Sequence, residues 1–187
     1  MAAPLFVTRQ YTSEQFVESC GAVLFDVPLL SQAEEHHPIK VCLLHNLVDD
    51  VWVLSKGRRN CHESRLAAAI RETKEETGFR AKLLPMTIAT RAPSSRETAD
   101  VADIARSYPN LTEPFMMTVR ELNEGGQMKI IWWYIAVVNK RAASTSARGE
   151  SWFDAAFFSE EEALGKLTYC TDRDVLNQAF FVLKRNM

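Results

Sequence analysis

Apolar and polar positions along this chain follow two periods, and the places where the period changes mark its elements. Residues 19–27, SCGAVLFDV, alternate and are rich in apolar side chains, which predicts a strand. Residues 39–46 and 50–57 predict two more, linked by Leu47-Val48-Asp49-Asp50, and 28–38 between the first two strands reads as a loop ending in proline. Residues 64–77 carry a helical pattern, with Ala67, Ala68 and Ala69 inside it and Gly78 where a helix C-terminus favours glycine. Leu66, Ala69, Ile70, Thr73 and Thr77 share one side of that helix, the expected core side. Residues 79–91 read as a strand broken near Pro85. Residues 115–122 and 127–138 flank Asn123-Glu124-Gly125-Gly126, a hairpin signal. A short strand (152–159), a short helix (160–167) and a longer helix (171–185) follow, the last with Thr171 as candidate N-cap and Asp174 three residues on. The polar stretches 92–114 and 140–151 are expected to be long loops, which in compact domains are often functional.

Strands, a helix, more strands and two closing helices predict an α/β fold with a mixed sheet between helices. The length, 187 residues with 47% hydrophobic, suits a single domain over 1–187. The formal net charge of -2 supplies no global positive field, so an anionic ligand needs a local basic cluster. No run of about 18 apolar residues predicts a membrane-spanning helix. The opening MAAPLFVTRQYTSEQF lacks the apolar core of a signal peptide, so the expected location is cytoplasmic. A secreted form, its signal removed and acting in a host cytoplasm, is the alternative. Cys20, Cys42, Cys61 and Cys170 form no CxxC pair and are expected as reduced thiols, two of them in core strands.

The chemistry concentrates in SKGRRNCHESRLAAAIRETKEETGF, residues 55–79. Glu72, Glu75 and Glu76 project from one side of the helix, since positions three and four apart are neighbours there. Like charges at that spacing cost roughly 0.2–0.5 kcal/mol per pair, and Arg71 and Lys74 soften the cost. Helical spacing alone therefore leaves a solvated acidic face and a cation site both open. The wider spacing separates them. Gly57 is followed by five residues and Glu63, then by seven residues and Arg71-Glu72-Thr73, then by Lys74, Glu75-Glu76, Thr77 and Gly78-Phe79. This pattern resembles the Nudix box, the signature of Nudix hydrolases; Thr73, where the box has a bulky apolar residue, is the one departure.

The resemblance implies the family's αβα sandwich and hydrolysis of a diphosphate linked to another moiety. It implies Mg²⁺ or Mn²⁺ as cofactor, hard cations that prefer oxygen ligands. Glu72 and Glu76 would be the principal metal ligands, and Glu75 a ligand or the general base. Glu63 would support a further metal or orient the helix. Arg71 would lock a glutamate rotamer, and a backbone carbonyl of Lys56 or Gly57 would complete a metal shell. Basic residues beside the box suggest the partner, a small-molecule polyphosphate. Lys56, Arg58 and Arg59 are candidate phosphate-holding residues, Arg91 and Arg96 border the long loop, and His45 ends a strand facing the box. His62, Lys129 and Arg173 are further candidates without an assigned place.

Two subfamilies resemble the chain in part. Asymmetric diadenosine polyphosphate hydrolases often carry Pro-Lys-Gly before the box, where this chain has Ser55-Lys56-Gly57. Diphosphoinositol polyphosphate phosphohydrolases often carry a glycine run there, where this chain has Gly57 alone. The Lys-Gly-Arg-Arg-Asn entrance is also similar to that of fungal Nudix proteins, including secreted effectors. A ring crowded with phosphates needs many cations, so a diphosphoinositol polyphosphate is the expected substrate. A diadenosine polyphosphate, whose base would want an aromatic platform such as Trp132, Trp133 or Tyr134, is the alternative. A non-catalytic binding module is a further alternative, opposed by the presence of Glu63, Glu72, Glu75 and Glu76. No basic stripe interleaved with aromatics points to nucleic acid, and no membrane partner is expected.

Overall fold

The computed structural model describes residues 7–27, 38–97, 101–122, 126–138 and 149–187. Most of the expected loop at 28–38, of the expected turn at 123–126 and of the expected loop at 140–151 lies outside the described residues. In chain order the elements are β1 (Phe16–Asp26), β2 (Lys40–Asn46), β3 (Val51–Val53), β4 (Lys56–Arg58) and α1 (Arg65–Thr77). They continue with β5 (Ala81–Leu83), β6 (Met86–Thr90), β7 (Arg106–Leu111), β8 (Met116–Leu122) and β9 (Gln127–Val138). The chain closes with β10 (Phe153–Phe158), α2 (Glu160–Lys166) and α3 (Cys170–Lys184).

The main sheet runs β10-β2-β1-β9-β5, with β3 on β2, β4 on β1 and β8 on β9. Its centre is the long parallel pair β1 and β9, from Phe16↔Met128 to Phe25↔Val137, while the other pairings are antiparallel. Both central strands are covered on both faces, as continuous apolar runs require. The faces differ in side-chain size. Small residues, Cys20, Ala22, Ala136, Ala68 and Ala69, join α1 to one face. Phe25, Ile131 and Trp133 meet α3 residues Leu176, Phe180 and Leu183 on the other, with Phe25 edge-on to Phe180 at 5.0 Å between ring centres. The expected mixed sheet between helices is thus the observed αβα sandwich.

Thr73 shows why a β-branched polar residue serves at the box position. It is fully buried, and its hydroxyl donates to the Ala69 carbonyl at 2.8 Å, leaving its methyl to pack. Gly78 caps α1 in the left-handed region at φ 76°, its N–H donating to the Lys74 carbonyl. Leu66, expected in the core, is 43% exposed, because α1 seats its alanines rather than its leucine on the sheet.

Three other expectations need correction. Residues 50–57 do not form one strand. β3 pairs with β2 and β4 pairs with β1, and the chain changes partner at Leu54 and Ser55. Gly21 makes room for that crossing: a Cβ there would lie 2.5 Å from the Ser55 carbonyl oxygen. The stretch 92–114 contains β7, which pairs with β6 in a separate two-stranded sheet. Its polar RSYPNL sequence hides an edge strand, where proline is tolerated. Finally, α3 begins at Cys170 after Tyr169, not at Thr171. Its start is tied by Arg173, which donates to the Leu167 carbonyl at 2.9 and 2.6 Å. By contrast α2 has a full capping box, Ser159 with Glu162. Cys20 and Cys42 are buried and free, as expected, while Cys61 and Cys170 are exposed. Among the described residues no helix is long and apolar enough to cross a membrane.

Candidate active site

Arg71 is the hub of the box. Its Nε and Nη2 donate to both oxygens of Glu63 at 2.8 and 2.9 Å, a bidentate pair. Its Nη1 donates to Glu72 at 2.7 Å and to Glu75 at 2.8 Å, and Nη2 also reaches the Arg58 carbonyl at 2.9 Å. One guanidinium therefore gathers three box glutamates and ties α1 to the end of β4. The loop before α1 is closed by Asn60 N–H donating to Glu63 and by Ser64 capping the helix through the Ala67 N–H. Arg71 holds the Glu63 carboxyl down, to about 2.

Glu76 lies deeper. It is 8% exposed and accepts a hydrogen bond from the Lys56 N–H at 2.8 Å. Burial pushes its carboxyl up to about 7, with the Lys56 charge and N–H opposing. The buried Ser55 hydroxyl beside it also opposes, at a geometry short of a normal hydrogen bond. Burial likewise raises Glu72, against Arg71 and with help from the charges of Glu75 and Glu150. Gly57 leaves room here for the Glu72 carboxylate, which a Cβ at that position would overlap and push aside. Two neighbouring carboxylates raised by burial, an oxygen donor set and a glycine cradle fit a hard divalent cation. Among the described residues no three such side chains stand at ligand spacing, and Glu63, Glu72 and Glu75 are each bonded to Arg71.

The sequence reasoning missed Glu150. Its N–H donates to the Glu75 carbonyl at 2.9 Å, its carboxylate accepts from Trp152 Nε1 at 2.9 Å, and its charge bears on Glu72. Gly149 seats this segment against α1, with no room for a Cβ beside the Glu76 carbonyl. A carboxylate so far along the chain from the box gives no spacing signal; only the Gly-Glu pair just before the last strand hints at it.

The other candidates divide. Lys56 and Arg58 flank Gly57 on β4; Lys56 meets Glu76 through its N–H and its charge, and Arg58 meets Arg71 through its carbonyl. Arg59 is turned away: its Nε donates to Glu18 at 2.9 Å and Nη1 to the Glu63 carbonyl at 3.0 Å, so it braces the loop. Arg91 is exposed and paired with Asp103 at 2.6 Å, and Arg96 lies in the nearby turn with its N–H on Ser94, both beside the β6–β7 sheet. His45 stacks on Trp52 at 4.7 Å and bonds Asp50 at 2.7 Å. None of these three makes a described contact with the box glutamates. His62 is an exposed loop residue at φ 63°, and Arg173 is spent on the α2–α3 junction.

A family model, the NUDIX domain, matches residues 25–176, and the chain belongs to the Nudix family. Solved structures share the fold. A C. elegans Ap4A hydrolase in a binary complex superposes with a TM-score of 0.59 at 16% identity, covering 90% of this chain and 98% of that one. The Nudix domain of Shewanella oneidensis NrtR complexed with ADP ribose gives 0.57 at 15% identity, covering 92% and 94%. NrtR complexed with a 27mer DNA gives 0.52 at 16% identity, covering 89% of this chain and 62% of that one.

Proposed function

We propose that this chain is a metal-dependent phosphoanhydride hydrolase acting on the diphosphate of a diphosphoinositol polyphosphate. The observation that carries this reading is the β4 edge, where the Lys56 N–H and charge act on Glu76, Gly57 faces Glu72, and Arg58 follows on the same strand: cations for phosphate share a strand with the seat of the carboxylates. Mg²⁺ or Mn²⁺ bound by Glu72 and Glu76, with Glu63 or Glu75 and a carbonyl of Lys56 or Gly57, would neutralise phosphate charge and acidify a bound water. Glu75, half exposed and steadied by Arg71, takes the proton of the attacking water. The water oxygen forms the new P–O bond, the anhydride P–O bond breaks, and the departing phosphate oxygen leaves with the electron pair. Lys56 and Arg58 offset the charge gathered on both phosphates.

The aromatic residues support an inositol ring over an adenine. Trp133 and Tyr134 are buried, and Trp132 has one face covered by the Arg65 guanidinium at 4.2 Å. A dinucleoside polyphosphate is the second reading, supported by the fold shared with the Ap4A hydrolase and by Trp152, which is 51% exposed and bonded to Glu150. The test is turnover with Mg²⁺ of a diphosphoinositol pentakisphosphate beside diadenosine tetra- and hexaphosphate, with Glu76→Gln as blank. A higher kcat/KM for the inositol substrate is expected. Preference for the dinucleotides, lost in Trp152→Ala, would replace the first reading with the second. Equal signal from the blank would reject hydrolysis at this site.

A further inference from the structure

Lys129 sits half-buried on β9, and the strand registers surround it with cations. Arg120 of β8 is its direct partner, and Val17 of β1 lies on its other side. Two residues along, Ser19 pairs with Ile131 of β9 and with Arg58 of β4, and Gly21 pairs with Lys56. Paired residues project from the same side of a sheet and every second residue shares a face. Arg120, Lys129, Arg58 and Lys56 therefore stand on one face, the face that α3 also covers. From β8 to β4 is three strand steps, about 14 Å at roughly 4.8 Å each, which is wider than a diphosphate group.

Among the described residues the acids whose charges meet this strip, Asp172, Glu72 and Glu76, are all raised by burial. Asp172, at the start of α3, lies 3.7 Å from Arg120 and is acted on by Lys56, but its burial raises its own carboxyl. Glu72 is the acid that bears on Lys129; burial first, and then Lys56, Arg120 and Arg58, all push the Lys129 ammonium down. Like charges on neighbouring strands destabilise a sheet, and in a chain of net charge -2 such a concentration needs an anion to offset it.

We propose that Arg120 and Lys129 extend Lys56 and Arg58 into a four-cation strip, whose Arg120–Lys129 end holds phosphates the enzyme does not cleave. The strip rests on the reading of the site as a phosphoanhydride hydrolase. It makes that reading more specific: the substrate carries several phosphates beyond the scissile pair, spread along the sheet away from Glu72 and Glu76. Lys129 and Arg120 then select for highly phosphorylated substrates.

The test measures binding without turnover. Glu76→Gln protein is titrated calorimetrically with inositol hexakisphosphate and with inorganic tripolyphosphate, at low and moderate salt. Lys129→Met keeps the buried stem and removes the charge, Lys129→Arg restores the charge, and Lys82→Ala is the control for a remote surface cation. Lys129→Met is expected to weaken hexakisphosphate binding about tenfold, as loss of a charged hydrogen bond does, and to flatten its salt dependence. Lys129→Arg should recover most of the affinity, and Lys82→Ala should change nothing. Unchanged affinity in folded Lys129→Met, an equal loss in Lys82→Ala, or no binding of either anion by the parent would overturn the strip. Lys129-dependent binding of the hexakisphosphate with no turnover of the diphosphoinositol substrate would keep the strip and reject the hydrolase reading instead.

Discussion

Glu76 offers a prediction that separates its chemistry from its packing. In the metal-free protein its buried carboxyl is raised from an ordinary 4.5 to about 7. The folded chain then holds a proton that the unfolded chain releases, across the window from 4.5 to about 7. Stability on this account is greatest below that window and falls as pH rises through it. At about 1.4 kcal/mol per pH unit, the loss by pH 8 is about 3 kcal/mol. Glu76→Gln keeps an acceptor for the Lys56 N–H and cannot ionise, so it should escape the loss. Urea unfolding in the presence of a chelator, at about pH 5 and pH 8, should show the parent losing about 3 kcal/mol more than Glu76→Gln. Mg²⁺ at pH 8 should raise the Tm of the parent and leave the variant nearly unmoved, since a ligand of the folded state stabilises it by mass action. The same variant should be inactive. Equal pH slopes in parent and variant would refute the buried, proton-holding Glu76, whatever happened to activity.

Gly57→Ala should displace the Glu72 carboxylate, which leaves no room for a Cβ; kcat should fall roughly a hundredfold with the circular dichroism spectrum unchanged. Gly149→Ala puts a Cβ against the Glu76 carbonyl and should destabilise the fold by about 1–3 kcal/mol in denaturant titration, lifting Glu150 off α1. Arg71→Met removes the cation that holds Glu63 near 2, so the Glu63 carboxyl, followed by NMR, should titrate at higher pH; the interaction it loses is one the parent keeps until pH falls toward 2.

Much of the site was legible because its geometry is local. Helical periodicity alone puts Glu72, Glu75 and Glu76 on one side of α1, and Gly78 ends that helix for a reason internal to its backbone. The strands β1, β2 and β9 announce themselves by apolar runs long enough to need burial on both faces. The break at Pro85 and the capping Ser159 are likewise written in single residues.

Other features depend on which distant segments become neighbours, and spacing carries no record of that. Residues 50–57 look like one strand because extended backbone is the same whichever partner it pairs with; the switch from β2 to β1 at Ser55 exists only in the assembled sheet. β7 hides in polar sequence because an edge strand facing solvent needs no apolar pattern. Arg59 has the charge of a phosphate ligand, but Glu18 lies within reach only once β1 and β4 pair. Glu150 joins Glu72 by the docking of one segment on a helix end, and the strip from Arg120 to Lys56 by the register of four strands. Along the sequence, then, this protein determined its family, its carboxylate cluster and its main elements, since covalent geometry and helical pitch act over a few residues. The tertiary structure decided how deeply Glu76 is buried, which cations stand free and which carboxylate joins the box, because long-range pairing and packing alone set those distances.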